Sequence, residues 1–472
     1  MQASGEISPE PAPSGRRPAP PELLQRSPLR AIVRLGAPTT GVMLVATTSN
    51  VLHTYFVSRL GAEAIAAVAL VFPISMILMT VMAGGVGAGV ASAIARALGA
   101  GRVQDAVSIA EHAFVVAAVL AVAFTVGFEA GIARLFAAMG GEGEVLRQAT
   151  LFARVLFAGL VFSFTISTFD SIMRGEGNVR VPAIWATVSL LLQIVLTPLF
   201  MFVFHLGLVG APVATLTGQL LAAFPRGRYV FGGHGAVRPR LLPRRLSRQP
   251  IAEILRIGIP ASVAAAINYV GITVMTSVFA HFGTAHLAAY GLGSRLDFLL
   301  FTLGYGVAAA CLTLVGMAVG AGRADLVTRY VRSAIAVAAG VVLVPAVVVT
   351  WYPPAWIGIF TDDPAIRAVG AQYLRTIGPS YLFVITSMVL ATSFQGFGRA
   401  TAPLAVMAAR VVLVVGTALL LTRGYGCGAQ AVLLVIAVGN IGSMFALSLM
   451  FRQTLRAFRR HARISSPTLR ET

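Results

Sequence analysis

Three ionisable side chains stand inside stretches of sequence that hold almost no others: His53, Asp170 and Asp297. A charge inside an apolar helix is expensive and needs a partner or a task. His53 titrates near neutral pH, which suits a proton carrier. The competing reading is a histidine hydrogen-bonded to Thr54 or another neighbour, about seven residues from the end of its helix. Asp170 and Arg174 are four apart, a spacing that lets side chains pair on a helix. Asp170 therefore reads as half of a structural pair or as the proton-handling acid of its half of the chain. Asp297 lies about eleven residues into its apolar run, near mid-bilayer at about 1.5 Å per residue. A carboxylate there must be neutral or meet a cation. Arg410, about nine residues into another run, is the expected partner, whereas Arg295 points about 200° away on the same helix as Asp297. Asp297 reads as a proton or substrate-cation site or as a structural ion pair, with Arg295 and Arg410 as cavity candidates.

Other chemistries lack their residues. No phosphate-binding loop with its lysine, no metal-ligand cluster and no Ser-His-Asp set shares a plausible place, so no metal or organic cofactor is expected, only a coupling ion, H+ or Na+. Gly84-Gly85-Val86-Gly87-Ala88-Gly89 sits in an apolar helix and reads as a close packing surface. Cys311 and Cys427 read as small core residues. A membrane-embedded enzyme would need polar groups converging at one depth, and His53, Asp170 and Asp297 fall at different depths.

The elements that position these residues are membrane helices. Of 472 residues, 57% are hydrophobic and 11% charged, with a mean hydropathy of +0.84; a soluble domain carries about a quarter charged residues. Runs of roughly 20 apolar residues can span a bilayer. They fall at about 35–58, 64–97, 105–128, 146–173, 181–205 and 208–225, then 257–281, 286–319, 325–351, 366–394, 401–422 and 428–451. The net charge is +19 and all basic residues are arginine. The arginines cluster in alternate loops, at Arg96 and Arg102, Arg174 and Arg180, Arg226–Arg256, Arg323–Arg332, and in both tails. That distribution fits the positive-inside rule rather than nucleic-acid binding and places both termini in the cytoplasm. The expected organisation is a disordered cytoplasmic tail over 1–30, an N-terminal six-helix lobe over 31–225, a basic cytoplasmic linker over 226–250, a C-terminal six-helix lobe over 251–451, and a basic tail over 452–472. The Pro-rich opening, with Pro9, Pro11, Pro13, Pro18, Pro20 and Pro21, has no apolar core like that of a cleaved signal peptide.

The halves repeat. Arg34-Leu-Gly-Ala-Pro38 recurs as Arg256-Ile-Gly-Ile-Pro260, Leu60-Gly61 as Phe282-Gly283, and Gly99-Ala-Gly-Arg102 as Gly320-Ala-Gly-Arg323. Arg154 matches Arg375, and Gly175-Glu-Gly177 with Pro182 matches Gly396-Phe-Gly398 with Pro403. The offset is 222 at the first two landmarks and 221 afterwards. Each half has an even number of spans, so the copies share one orientation. The expected fold class is an all-α integral membrane protein of twelve transmembrane helices in two homologous six-helix lobes. The lobes form a parallel repeat about a pseudo-twofold axis along the membrane normal, with the substrate path between them. A transporter of small molecules in the lipid bilayer follows from that plan; a monomer in the plasma membrane (a bacterial inner membrane) is the accompanying expectation.

Asn50-Val-Leu-His-Thr-Tyr-Phe-Val-Ser-Arg-Leu-Gly61, both Gly-Ala-Gly-Arg loops, Arg174-Gly-Glu-Gly177 and Gln193-Ile-Val-Leu-Thr-Pro-Leu-Phe200 resemble multidrug and toxic compound extrusion (MATE) transporters, over about 31–450. The resemblance implies cation-coupled antiport of amphipathic, often cationic molecules by alternating access, and no enzyme. It also implies acids that are absent here. His53 stands where one bacterial branch has an aspartate three residues after an asparagine, here Asn50. Gln193 and Thr197 replace that branch's fifth-helix Asn and Asp. Asn268 and Val384 replace the acids of the other branch. Asn50, Gln193, Thr197 and Asn268 are thereby candidates for the cavity. A flippase for lipid-linked saccharides is the nearest alternative; it would require further spans or a strongly cationic cavity.

Overall fold

In the computed structural model, which describes residues 22–25 and 27–464, the described chain is built of helices joined by turns. Helices satisfy their own backbone hydrogen bonds, the condition for crossing lipid. The first lobe holds α1 (Pro28–Ser58), α2 (Ala62–Met79), α3 (Gly87–Gly99), α4 (Val103–Ala138), α5 (Gly143–Ala158), α6 (Leu160–Gly175), α7 (Arg180–Pro198) and α8 (Gly210–Phe231). The second holds α9 (Arg248–His281), α10 (Thr284–Gly320), α11 (Ala324–Trp351), the short α12 (Pro354–Ile357), α13 (Pro364–Ile377), α14 (Tyr381–Gly396), α15 (Thr401–Leu419) and α16 (Ala429–Ile464). Eleven stretches are long and apolar enough to cross a membrane, and α5 with α6, bent by 46° at Gly159, makes the twelfth.

Four lobe boundaries differ from expectation. α8 continues to Phe231, so Arg226 and Arg228 belong to a helix and the linker runs over residues 232–247. α1 already begins at Pro28, and α16 extends to Ile464 because no helix breaker follows the last apolar run. The tail segments 1–21, 26 and 465–472 lie outside the described residues.

The repeat is visible in the backbone. Gly61 and Gly283 have φ of 107° and 103°, Gly101 and Gly322 74° and 70°, and Gly177 and Gly398 83° and 77°. These are left-handed or related conformations that glycine adopts without steric cost, so each landmark glycine marks the same turn in both lobes. The slip in offset has a physical origin. Between α2 and α3 the chain forms a π-helical turn, Thr80–Val86, whereas the equivalent α10 runs unbroken. A π turn takes up one more residue than an α turn, which accounts for 222 becoming 221.

The lobes meet in a seam at the end of the bundle that carries the linker. There the backbones touch through glycine in pseudo-twofold pairs. A Cβ added at Gly36 would stand 3.2 Å from Val307 Cα, and one at Gly258 would stand 3.2 Å from Val86 Cα. Closer still, a Cβ at Gly99 would fall 2.1 Å from the Met317 carbonyl oxygen, and one at Gly320 2.0 Å from that of Arg96. The glycine-rich run packs as expected: a Cβ at Gly89 would sit 2.3 Å from Ile254 O. Hydrogen bonds cross the seam in the same pairing, Ser92 Oγ donating to Gln395 O and Thr313 Oγ1 to Arg174 O at 3.2 Å. Arg96 also pairs with Glu253 at 3.7 Å. Among the described residues the polar contacts between lobes, including Thr40 Oγ1 to Leu303 O at 3.4 Å, lie in this linker-end half. The cleft between the lobes is thus closed at the linker end.

Seam closure depends on there being no side chain at these glycines. Gly99→Val and Gly320→Val are each expected to lower Tm by several degrees and to raise hydrogen exchange at the linker ends of α3 and α10. Gly340→Val, at a position with nothing within 4 Å, leaves both unchanged. Thermal unfolding and exchange mass spectrometry in detergent check this.

Candidate functional site

Asp297 is the best-framed polar group within the spans. Its Oδ1 accepts from the Tyr381 hydroxyl at 2.7 Å and its Oδ2 from the Tyr373 hydroxyl at 3.1 Å. Tyr373 lies near the end of α13 and Tyr381 opens α14, and the 3-10 turn Gly378–Ser380 between them brings both phenols to one carboxylate. That turn is fixed from α16, where Asn440 Nδ2 donates to Ser380 Oγ at 2.9 Å. Gly293, one turn before Asp297, makes room: a Cβ there would be 2.2 Å from the Tyr373 ring. Tyr290 meets Tyr373 edge-on at 6.1 Å and stacks on Phe279 at 4.6 Å. Phenols are donors a carboxylate can use in either protonation state, because a carboxyl group keeps acceptor capacity after taking a proton.

The expected Asp297–Arg410 ion pair is not made. The ion pairs among the described residues do not include it, and the guanidinium of Arg410 contacts Met407 Sδ at 3.9 Å while its buried Nε has no partner. The two phenols from α13 and α14 occupy both carboxylate oxygens instead. Arg295 faces outward, with its guanidinium 5.7 Å from the centroid of the Phe360 ring.

In the first lobe, Asp170 pairs with a different arginine from the one its helical spacing suggested. Arg226 Nε donates to Asp170 Oδ1 at 2.8 Å, and Arg226 is only 2% exposed. Arg174 Nε reaches the Asp170 backbone oxygen at 3.2 Å, not its carboxylate. Extending α8 past residue 225 is what carries Arg226 to Asp170. His53 is half-buried, its ring edge-on to Phe152 at 6.5 Å. Thr54 Oγ1 bonds Asn50 O at 2.9 Å rather than the imidazole, and Asn50 is exposed. Thr197 donates to Gln193 O at 2.7 Å, and Gln193 Nε2 to Thr215 Oγ1 at 2.7 Å, which ties α7 to α8. Asn268 is half-buried on α9. The first-lobe candidates therefore do not converge: Asp170 belongs to an α6–α8 pair, Gln193 and Thr197 to an α7–α8 tie, and His53 to the opposite end of α1.

Tyr373, Tyr381 and Arg226 were not singled out from the sequence. A signal for the tyrosines was present in the repeat. At offset 222 before the π turn and 221 after it, Asp297, Tyr373 and Tyr381 correspond to Ser75, Phe152 and Leu160. Three positions gain acid or hydroxyl in the second half alone, and the fold brings those three together. Among the described residues no group of three or more His, Cys, Asp or Glu could hold a metal. Cys311 and Cys427 are free thiols, Cys311 buried 3.3 Å from Ser393 Oγ.

The MatE family model matches residues 38–199 and 260–420, once in each half. An FAD transporter of Shewanella oneidensis is 23% identical over 419 residues, 87% of this chain and 92% of that protein. Multidrug export protein MepA of Staphylococcus aureus is 25% identical over 402 residues, 82% of this chain and 87% of its own length. Among solved structures, a MATE protein in a bent conformation superposes with a TM-score of 0.89 at 28% identity, covering 95% of this chain and 100% of that one. A MOP-superfamily transporter from Pyrococcus furiosus, described as having a binding pocket of reverse polarity, gives 0.87 at 28% identity, covering 94% and 100%.

If the Asp170–Arg226 pair is structural, breaking it leaves a lone buried charge. Arg226→Leu is expected to cost about 3–5 kcal/mol and to deplete folded protein. Asp170→Asn combined with Arg226→Leu recovers most of it. Folded yield by fluorescence-detected size exclusion decides; an unaffected Arg226→Leu would leave Asp170 open to a transport role.

Proposed function

The chain belongs to the MatE family, and on that premise we propose that it is a secondary active exporter of amphipathic, often cationic small molecules, driven by H+ or Na+ antiport. The observation that carries this reading is the pair of six-helix lobes closed on each other at one end only. Rocking of one lobe against the other about that arrangement exposes a cleft first to one side of the membrane and then to the other. The protein is a multi-pass membrane protein. We place it in the bacterial plasma membrane with both termini and the linker cytoplasmic, from the arginine distribution, so that the closed end is the inner one. The working unit is a monomer acting on small molecules, with no nucleic-acid partner, no cofactor beyond the coupling ion, and no catalysis.

Asp297 is our candidate for the coupling site. It is an acid within the spans whose hydrogen-bond partners are two neutral hydroxyls, with Arg410 acting on it through its charge but not in contact with its carboxylate. Two phenol donors hold both oxygens in place, so that taking up or releasing H+ alters the charge without displacing the group. His53 is the second candidate. Asn50, Gln193, Thr197, Asn268, Arg295 and Arg410 remain candidates for contact with substrate.

A second reading concerns cargo. Arg410 is a cation with an unpartnered buried Nε and no ion pair. Together with similarity to a protein named as an FAD transporter, this adds anionic amphipaths, such as a flavin nucleotide, to the cargo to be tested beside cationic drugs.

Asp297→Asn is expected to abolish uphill export while leaving abundance and folding intact. Tyr381→Phe should reduce it roughly tenfold to a hundredfold, since a hydrogen bond to a charged group is worth about 1.5–3 kcal/mol. Accumulation of a cationic dye and export of flavin, measured in an efflux-deficient host with H+ and Na+ gradients imposed separately, identify ion and cargo together. Full transport by Asp297→Asn would remove Asp297 from the mechanism. An unchanged rate and pH dependence in His53→Asn would do the same for His53.

A further inference from the structure

Residues 232–247, between α8 and α9, are held to the first lobe by their backbone. Val237 N donates to Glu176 Oε1 at 2.6 Å, Arg240 N to Glu111 Oε1 at 3.1 Å, and Ser247 N to His112 Nε2 at 2.9 Å. His112 is 2% exposed and its Nδ1 lies 2.7 Å from Ser108 O, so Nδ1 carries the proton and Nε2 accepts. Burial pushes the Glu176 carboxyl up to about 7, against the opposing effect of the Val237 N–H. Val237 and Pro239 turn inward and are buried.

With these backbone donors spent on lobe 1, the side chains that follow are left outside. Leu241, Leu242 and Leu246 are 58%, 69% and 71% exposed. Arg240, Arg244 and Arg245 beside them are exposed too, and the chain has no acid from residue 227 to 252. Exposed leucines singly need no explanation, but three of them within six residues, interleaved with arginine on a tethered segment, form a mixed apolar and cationic surface. α8 and α9 leave the bilayer where this segment begins and ends, so the nearest complementary surface is the lipid leaflet itself. Anionic headgroups attract arginine, and the acyl boundary takes up leucine.

We propose that the linker is a lipid-docking strap, with Arg240, Arg244 and Arg245 on anionic phospholipid headgroups and Leu241, Leu242 and Leu246 in the acyl boundary of the leaflet at the linker end. The strap's polar anchors all belong to lobe 1, so docking fixes that lobe to the leaflet and leaves the other to rock against it. This holds whatever the cargo is.

The full-length protein in nanodiscs tests this. Leu242→Trp adds emission over that of wild type, whose own tryptophans provide the baseline. In phosphatidylglycerol with brominated acyl chains, at least half of the added emission is expected to be quenched; no quenching would overturn the proposal. In native mass spectrometry, combining Arg240→Gln, Arg244→Gln and Arg245→Gln is expected to lower retention of phosphatidylglycerol over phosphatidylcholine roughly tenfold or more. Unchanged retention would overturn the headgroup assignment. Millimolar inorganic phosphate is expected to leave the quenching unaltered; its loss would mean a free-anion site in place of a lipid one.

Discussion

The structure depends on one steric constraint: backbone must approach backbone where the two lobes meet. Carbonyl oxygens of Met317 and Arg96 stand where a Cβ on Gly99 or Gly320 would have to be, so that only glycine fits. Between helices in lipid, where no hydrophobic effect drives association, such close packing of small residues is a principal source of contact energy. The paired bonds from Ser92 and Thr313 to carbonyls of the opposite lobe then set the register of the crossing. Each of these contacts is individually modest. A seam of that kind can hold a cleft shut at one end and still be opened by a rearrangement of a few kcal/mol, the scale on which ligands shift two-state equilibria.

Departures from the twofold are as informative as the symmetry. The first lobe spends an extra residue on the π turn Thr80–Val86, within the span that packs on α9. The second lobe keeps α10 unbroken, and that helix carries Asp297 up to the two phenols. In the first lobe, by contrast, the acid is neutralised by Arg226 and the equivalent aromatic, Phe152, offers His53 only a ring edge. The backbone plan is thus duplicated while the polar contacts are not: the acid of the first lobe meets a cation and that of the second meets two phenols.

Span number, the two-lobed plan and the recurrence of Gly61, Gly101 and Gly177 were legible because each rests on local sequence: apolar length, arginine placement and glycine recurring at a fixed offset. Partner choice was not. Asp170 and Arg174 satisfy the helical rule for pairing, yet Arg226, 56 residues away, takes the carboxylate. Asp297 and Arg410 looked complementary by depth and charge, yet Tyr373 and Tyr381 fill its lone pairs. Side-chain partners are set by the rotation of helices about their axes and by where a turn such as Gly378–Ser380 aims the next residue, and neither is written in hydropathy. The repeat could have supplied part of the answer, since Ser75, Phe152 and Leu160 become Asp297, Tyr373 and Tyr381 in the second half.

Two lobes that rock against each other, opening the seam at one end of the cleft as the other end closes, are what this structure implies. Spin-label distances at both ends measure that rocking directly. One pair is introduced by Gln104→Cys and Asp325→Cys beside the seam, the other by Glu142→Cys and Asp363→Cys at the opposite end, with Cys427 replaced by serine. At rest the seam pair should be short and the opposite pair long. Under an imposed ion gradient with cargo present, the first should lengthen as the second shortens. Distances that stay fixed during turnover, or that move in the same direction at both ends, would contradict the account.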